Sequence, residues 1–180
     1  MRFFISFVIS IVTISACNAT PIGSNINLPG YDTLNDTELV QLFSIMYKED
    51  ISNTRHPIIR RYVTINNFNT ILSITRKQGF PKLVVQPKNQ KKATIINRCC
   101  SLTFYQILVQ QPEYMLNDEI IVLFKEELDA LRLPQHLLQN VMANVHEKNE
   151  KENIFSIEVK NKFDLAIHEW GLSLNTSFNE

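Results

Sequence analysis

Residues Asn66–Pro81 read NNFNTILSITRKQGFP, and this stretch decides the fold class. Phe68, Ile71, Leu72 and Thr75 recur at intervals of three and four, which gathers side chains on one face of an α-helix. Gly79 escapes the Cβ penalty at positive φ and predicts a left-handed cap, while Pro81 has no amide hydrogen with which to continue the ladder. The spacing therefore predicts a helix over Asn66–Gln78, with a buried face and a defined stop.

The same period extends in both directions. Asn35 with Glu38 three residues later has the form of a helix-capping pair. Leu39, Leu42, Phe43 and Met46 then follow at helical spacing, with an end expected near Arg55, before Pro57. Ile58–Ile65 is compatible with an extended segment, and Leu83-Val84-Val85 with a brief strand, though one short run makes no sheet. A third helix is predicted over Ala93–Gln111, its stripe formed by Ile96, Cys99, Cys100, Thr103 and Ile107. Pro112 suits the first turn of a fourth, reaching Leu131 with Ile120, Leu123, Phe124 and Leu128 inward. Pro134 opens a fifth with Leu137, Leu138, Val141 and Val145 inward. The run Glu147–Glu152 reads as a solvated, mixed-charge connection, and Ile154–Val159 fits either state. A last helix over Lys160–Trp170 closes on Gly171, with Trp170 as a core plug. No repeat or linker divides this array, so the expectation is all-α: one bundle-like domain over residues 35–180, with at most one short extended segment.

Composition agrees with a soluble core. Of the 180 residues, 44% are apolar and 20% charged, with 18 basic residues against 18 acidic. That balance predicts no nucleic-acid partner. Lys82–Lys92 is a basic cluster without interleaved aromatics, which reads as a solvated loop.

The chain start carries an export signal. Arg2 precedes an apolar run from Phe3 to Ile14, interrupted only by Ser6, Ser10 and Thr13. A membrane-crossing helix needs about 20 residues, so this shorter run suits a signal-peptide core over residues 1–16. Ile14-Ser15-Ala16-Cys17 resembles a bacterial lipobox, in which Cys17 becomes the lipid-bearing first residue. An ordinary cut after Ala19 is the alternative and would discard Cys17. Residues 17–34, rich in Pro, Gly, Asn and Ser, read as a tether. In a eukaryotic source, Asn18, Asn35 and Asn175 would be glycosylation sequons.

Asn67, Ile71, Ile74 and Gly79-Phe80-Pro81 resemble the Asn-Thr…Leu…Ile…Gly-Trp-Pro segment of an uncharacterised bacterial helical family, defined as a domain of unknown function. Gln106 and Pro112 stand at separations matching its Gln-His and Asp-Pro elements, and Gly171-Leu172 its C-terminal Gly-Leu. Ile107 occupies the position of the family's His, and Asp50-Ile51 that of an Asp-Gln. The resemblance implies a helical fold over about Leu39–Leu172 and no named activity.

Chemistry-bearing residues are sparse. Cys99 and Cys100 are adjacent, and neighbours on a helix diverge by about 100°, so they cannot bridge each other. His56, His136, His146 and His168 lack metal-ligand spacing, and no cofactor motif appears. Asp164 and His168 are four apart and can pair as a carboxylate orienting an imidazole, which would activate Cys99 or Cys100 as a nucleophile. Asp50, Arg55, Asn67 and Gln106 are the polar positions expected to border a cleft. The functional expectation is a lipid-anchored, non-enzymatic protein of the bacterial outer membrane facing the periplasm, binding a protein or peptide partner. An envelope hydrolase with a cysteine nucleophile and a secreted eukaryotic glycoprotein are the alternatives.

Overall fold

The computed structural model describes residues 34–81 and 90–174, with side chains described from residue 94 onward in the second stretch. The proposed leader, Cys17, most of the tether, Leu83-Val84-Val85 and Asn175 lie outside the described residues.

Six α-helices account for the described fold: α1 Asp36–Ser52, α2 Pro57–Gln78, α3 Gln90–Gln110, α4 Asp118–Asp129, α5 Gln135–Glu152 and α6 Ile157–Glu169. The all-α expectation holds, and no strand occurs among the described residues. Asn35 caps α1 as its spacing predicts. Its side-chain oxygen accepts from the amides of Thr37 and Glu38, and Glu38 accepts in return from the Asn35 amide at 2.9 Å. The helix ends at Ser52, three residues before Arg55, where Asn53 closes it.

Ile58–Ile65 is helical, correcting the extended reading. Pro57 sits in the first turn of α2, where its missing amide hydrogen costs nothing. Burial of Thr64, Asn67, Phe68, Ile71 and Leu72 farther along then overrides the β-propensity of the branched residues. Gly79 has a positive φ of 82° but an extended ψ of 166°, so the chain leaves α2 straight rather than in a left-handed turn. Lys91 and Lys92, expected in a loop, fall within α3.

Pro112 also departs from expectation. It opens a 3-10 turn, Pro112–Tyr114, and α4 begins only at Asp118, capped by the Asn117 side chain, which accepts from the Ile120 amide at 3.0 Å. Met115 and Leu116 between them enter the core. On α4 the buried stripe runs Ile120, Ile121, Phe124, Glu127, while Leu123 and Leu128 are half-buried. Glu147–Glu152, read as a connection, forms the last turns of α5, laced by Lys148–Glu152 and Lys151–Glu147 pairs. The ambiguous Ile154–Val159 divides: Phe155 enters the core, Ser156 caps, and α6 starts at Ile157.

Helix α3 is the hub, packing against α1, α2 and α5, while α6 lies on α4. Being covered on several sides explains how the adjacent Cys99 and Cys100 are both buried. An aromatic series crosses the core from Phe68 through Phe104 and Phe124 to Trp170. Trp170 plugs the core end, and its indole N–H donates to the Ile121 carbonyl at 2.9 Å, satisfying the one polar atom it buries.

Candidate functional site

Of the four polar positions singled out, the fold joins two at one interface. Asp50 and Asn67 are buried between α1 and α2, where the Asn67 amide donates to the Met46 carbonyl at 3.2 Å. Gln106 is buried on α3 and accepts from Gln110 on its own helix at 2.7 Å. Arg55 is exposed in the α1–α2 turn. The cation whose charge reaches Asp50 is instead Arg60, and its hydrogen-bond donor is the Thr64 hydroxyl at 3.2 Å. Burial pushes the Asp50 carboxyl above its ordinary range, and Thr64 and Arg60 only partly offset this. Its second oxygen and the Arg60 Nε are buried without hydrogen-bond partners, and the Thr103 hydroxyl is buried beside the Cys99 thiol. These groups form a polar seam inside the α1–α2–α3 junction.

The alternative thiol site is not assembled. Burial pushes the Cys99 thiol up to about 12, with Thr103 lowering it slightly and the Asp50 charge raising it. Cys100 is held well above the ordinary thiol range by burial and by Cys99. Asp164 is exposed on α6, and the His168 side chain is 85% exposed with its imidazole toward Glu169. The expected Asp164–His168 pair is absent from the hydrogen bonds and ion pairs formed by these residues. Among the described residues, no three His, Cys, Asp or Glu converge as metal ligands.

An open cleft of about 560 Å³ lies between α3 and α5, with Tyr47 of α1 at its border. Its α3 wall carries Asn97, Ser101 and Tyr105, and its α5 wall His136, Asn140 and Asn144. Each set is spaced by four, so each lines one edge of its helix. Leu102 and Leu137 form the floor, and Arg98 is a cation on the rim. A second cleft of about 480 Å³ shares Tyr105 and Asn144 and continues toward Glu147, Lys148, Lys151 and Glu152. The groove thus follows two helices that run in the same direction. Amides, hydroxyls and an imidazole both donate and accept, which matches the alternating groups of an extended backbone. None of the four expected cleft residues lines either opening.

Sequence reasoning missed the groove and two further features. The i, i+4 polar stripes were the available signal, but they have the same form as an ordinary solvated helix face. The second feature is Glu127, which sits at a core position of α4. Its carboxylate accepts from Arg132 Nε at 2.6 Å and Nη2 at 2.7 Å, and from the Phe80 amide at 2.8 Å. Burial opposes the charge, yet the Arg132 and Phe80 bonds and the Arg132 charge together hold Glu127 below the ordinary carboxylate range. Gly79 suits the position beside this clasp on two counts: its φ of 82° strains any residue with a Cβ, and a Cβ there would fall 2.5 Å from Arg132 Nε, so that the Arg132 side chain would have to shift. The third is charge segregation: from Ile51 to Pro112 the chain has ten of its 18 Lys and Arg and none of its 18 Asp and Glu. Whole-chain neutrality hides that asymmetry.

Comparison with known proteins finds no matching family model, no similar curated protein and no similar solved structure. No described helix is long and apolar enough to cross a membrane.

Proposed function

We propose that this chain is an exported helical binding module, lipid-anchored at Cys17 on the periplasmic face of a bacterial outer membrane, that holds an extended segment of a protein partner in the α3–α5 groove. The observation that carries the proposal is the pair of facing polar stripes, Asn97-Ser101-Tyr105 and His136-Asn140-Asn144, over an apolar floor of Leu102 and Leu137. Such an arrangement offers hydrogen bonds to a backbone beside apolar contact for its side chains. The lipobox-like Ile14-Ser15-Ala16-Cys17 supports the anchor. Resemblance to the uncharacterised bacterial family is compatible with this role and assigns no chemistry.

The test places a photo-crosslinking residue at Asn140 in cells exporting the protein. A discrete adduct that is lost on adding Ser101→Arg, and that does not form from exposed Glu158, supports the groove. No adduct from Asn140, or equal adducts from both positions, overturns it. Mass spectrometry of the same material reads the N-terminus. A lipid-modified Cys17 supports the anchor, and an unmodified start at Thr20 removes that part of the proposal alone.

A further inference from the structure

We infer that the α1–α2 corner is a docking surface for an anionic lipid membrane. The corner joins the end of α1 to the start of α2, and its apolar side chains face water: Ile58 is 75% exposed, Tyr62 67%, Ile59 50% and Ile51 47%. Ile58 and Tyr62 are one turn apart, with Ile59 beside them, so the first turns of α2 present an unpartnered aliphatic ridge. Arg55, His56 and Arg61 are exposed around that ridge, the Arg61 guanidinium also donating to the side-chain oxygen of buried Gln111, and Lys48 is exposed on α1. Arg60 is not part of this set, because its charge is directed at buried Asp50.

Charge selects the occupant. The corner opens the acid-free stretch from Ile51 to Pro112, and the nearest exposed acid in sequence is Glu49. The α2 N-terminus has no side-chain cap and no acid in its first turn, so its free amides and dipole add to the attraction for phosphate. Three isoleucines and one tyrosine would enter the boundary between headgroups and acyl chains while arginines meet the phosphates, the division of labour of an interfacial helix. Nucleic acid fits less well, since its bases stack on aromatic faces and the ridge is mainly aliphatic. The surface needs no acyl chain and no groove ligand. It would set how the domain lies on a bilayer, whatever holds the chain there.

The experiment uses the full chain with Cys17→Ser and Ile58→Cys, labelled at residue 58 with an environment-sensitive fluorophore. Cys99 and Cys100 are buried, which directs the label to the new thiol. Vesicles of phosphatidylcholine with one-third phosphatidylglycerol should shift the emission to the blue, and phosphatidylcholine alone should not. The same label at Glu158→Cys should remain aqueous on both, even if the leader inserts. Adding Arg55→Gln and Arg61→Gln should raise the lipid concentration for half-maximal shift by about 30-fold, about fivefold for each charge near the surface. A label at residue 58 that stays aqueous on anionic vesicles, or shifts equally on neutral ones, overturns the inference. A shift with polyglutamate but not with vesicles also overturns it, in favour of an acidic protein surface.

Discussion

Replacing Glu127 by Ala tests whether the buried clasp stabilises the bundle. Glu127 has a side chain only 4% exposed and accepts three hydrogen bonds, of which the Phe80 amide at 2.8 Å is itself buried. Losing a hydrogen bond to a charged group costs about 1.5–3 kcal/mol, and stranding a buried amide lies at the upper end of that range. The Arg132 side chain is 39% exposed and finds water when released, so its two bonds are left out of the sum. Glu127→Ala should therefore destabilise by about 2–3 kcal/mol, lowering the thermal midpoint by about 4–12 °C for a domain of this size. Glu127→Gln keeps an acceptor for the Phe80 amide and should lose roughly half as much. Because the folded state holds the Glu127 carboxyl below 4.5, its stabilisation is complete above the unfolded value and fades as pH falls through the lower, folded one. Scanning calorimetry of wild type and both variants from pH 7 to pH 3 reads size and sign together. A midpoint for Glu127→Ala within 2 °C of wild type, or an acid limb unchanged in Glu127→Gln, would refute the reasoning.

Two further outcomes follow from the polar seam and from α3. Asp50 has its folded pKa raised by burial, so wild type loses stability as pH rises from the unfolded value through the folded one; Asp50→Asn should gain on wild type between pH 4 and pH 7. Denaturant midpoints at the two pH values measure this, and a difference that does not change with pH would mean that Asp50 ionises without penalty. The thiols of Cys99 and Cys100 should label with a disulfide reagent at pH 7 only as fast as the fold opens, and His168→Ala should leave that rate unchanged. A thiol that reacts within seconds in the native state and slows in the His168 variant would restore the hydrolase alternative.

The helices were legible because their apolar residues repeat with the period of the backbone. Phe43, Phe68, Ile71, Leu138 and Val145 all occupy the core faces that their spacing predicts. What escaped were positions whose state depends on residues distant in the chain. Glu127 stands one residue before Leu128, and any rule of composition puts the leucine inside; three donors from two other segments reverse the order. Ile58 and Ile59 carry strand-like side chains, yet Pro57 and the buried face farther along α2 make them helical and leave them in water. Asn140 and Asn144 look like any solvated helix face, and only the packing of α5 on α3 turns that face into a wall. Cys99 and Cys100 stand on the apolar stripe of α3, and the elements packed around that helix bury both.

The position of α3 at the centre imposes an order on assembly. As the chain emerges N-terminus first from the export channel, α1, α2 and α3 appear together and can associate, but the side of α3 that meets α5 stays uncovered until α5 arrives. A nascent chain that stalls after Gln110 therefore presents a wet apolar seam, the kind of surface that holding chaperones bind and that drives aggregation when they are scarce. The N-terminal half is a platform awaiting its lid, and a gene fragment ending there is expected to be prone to aggregation. The boundary of the smallest expressible piece is set by the last helix that covers the hub, well beyond the point where the hub itself is complete.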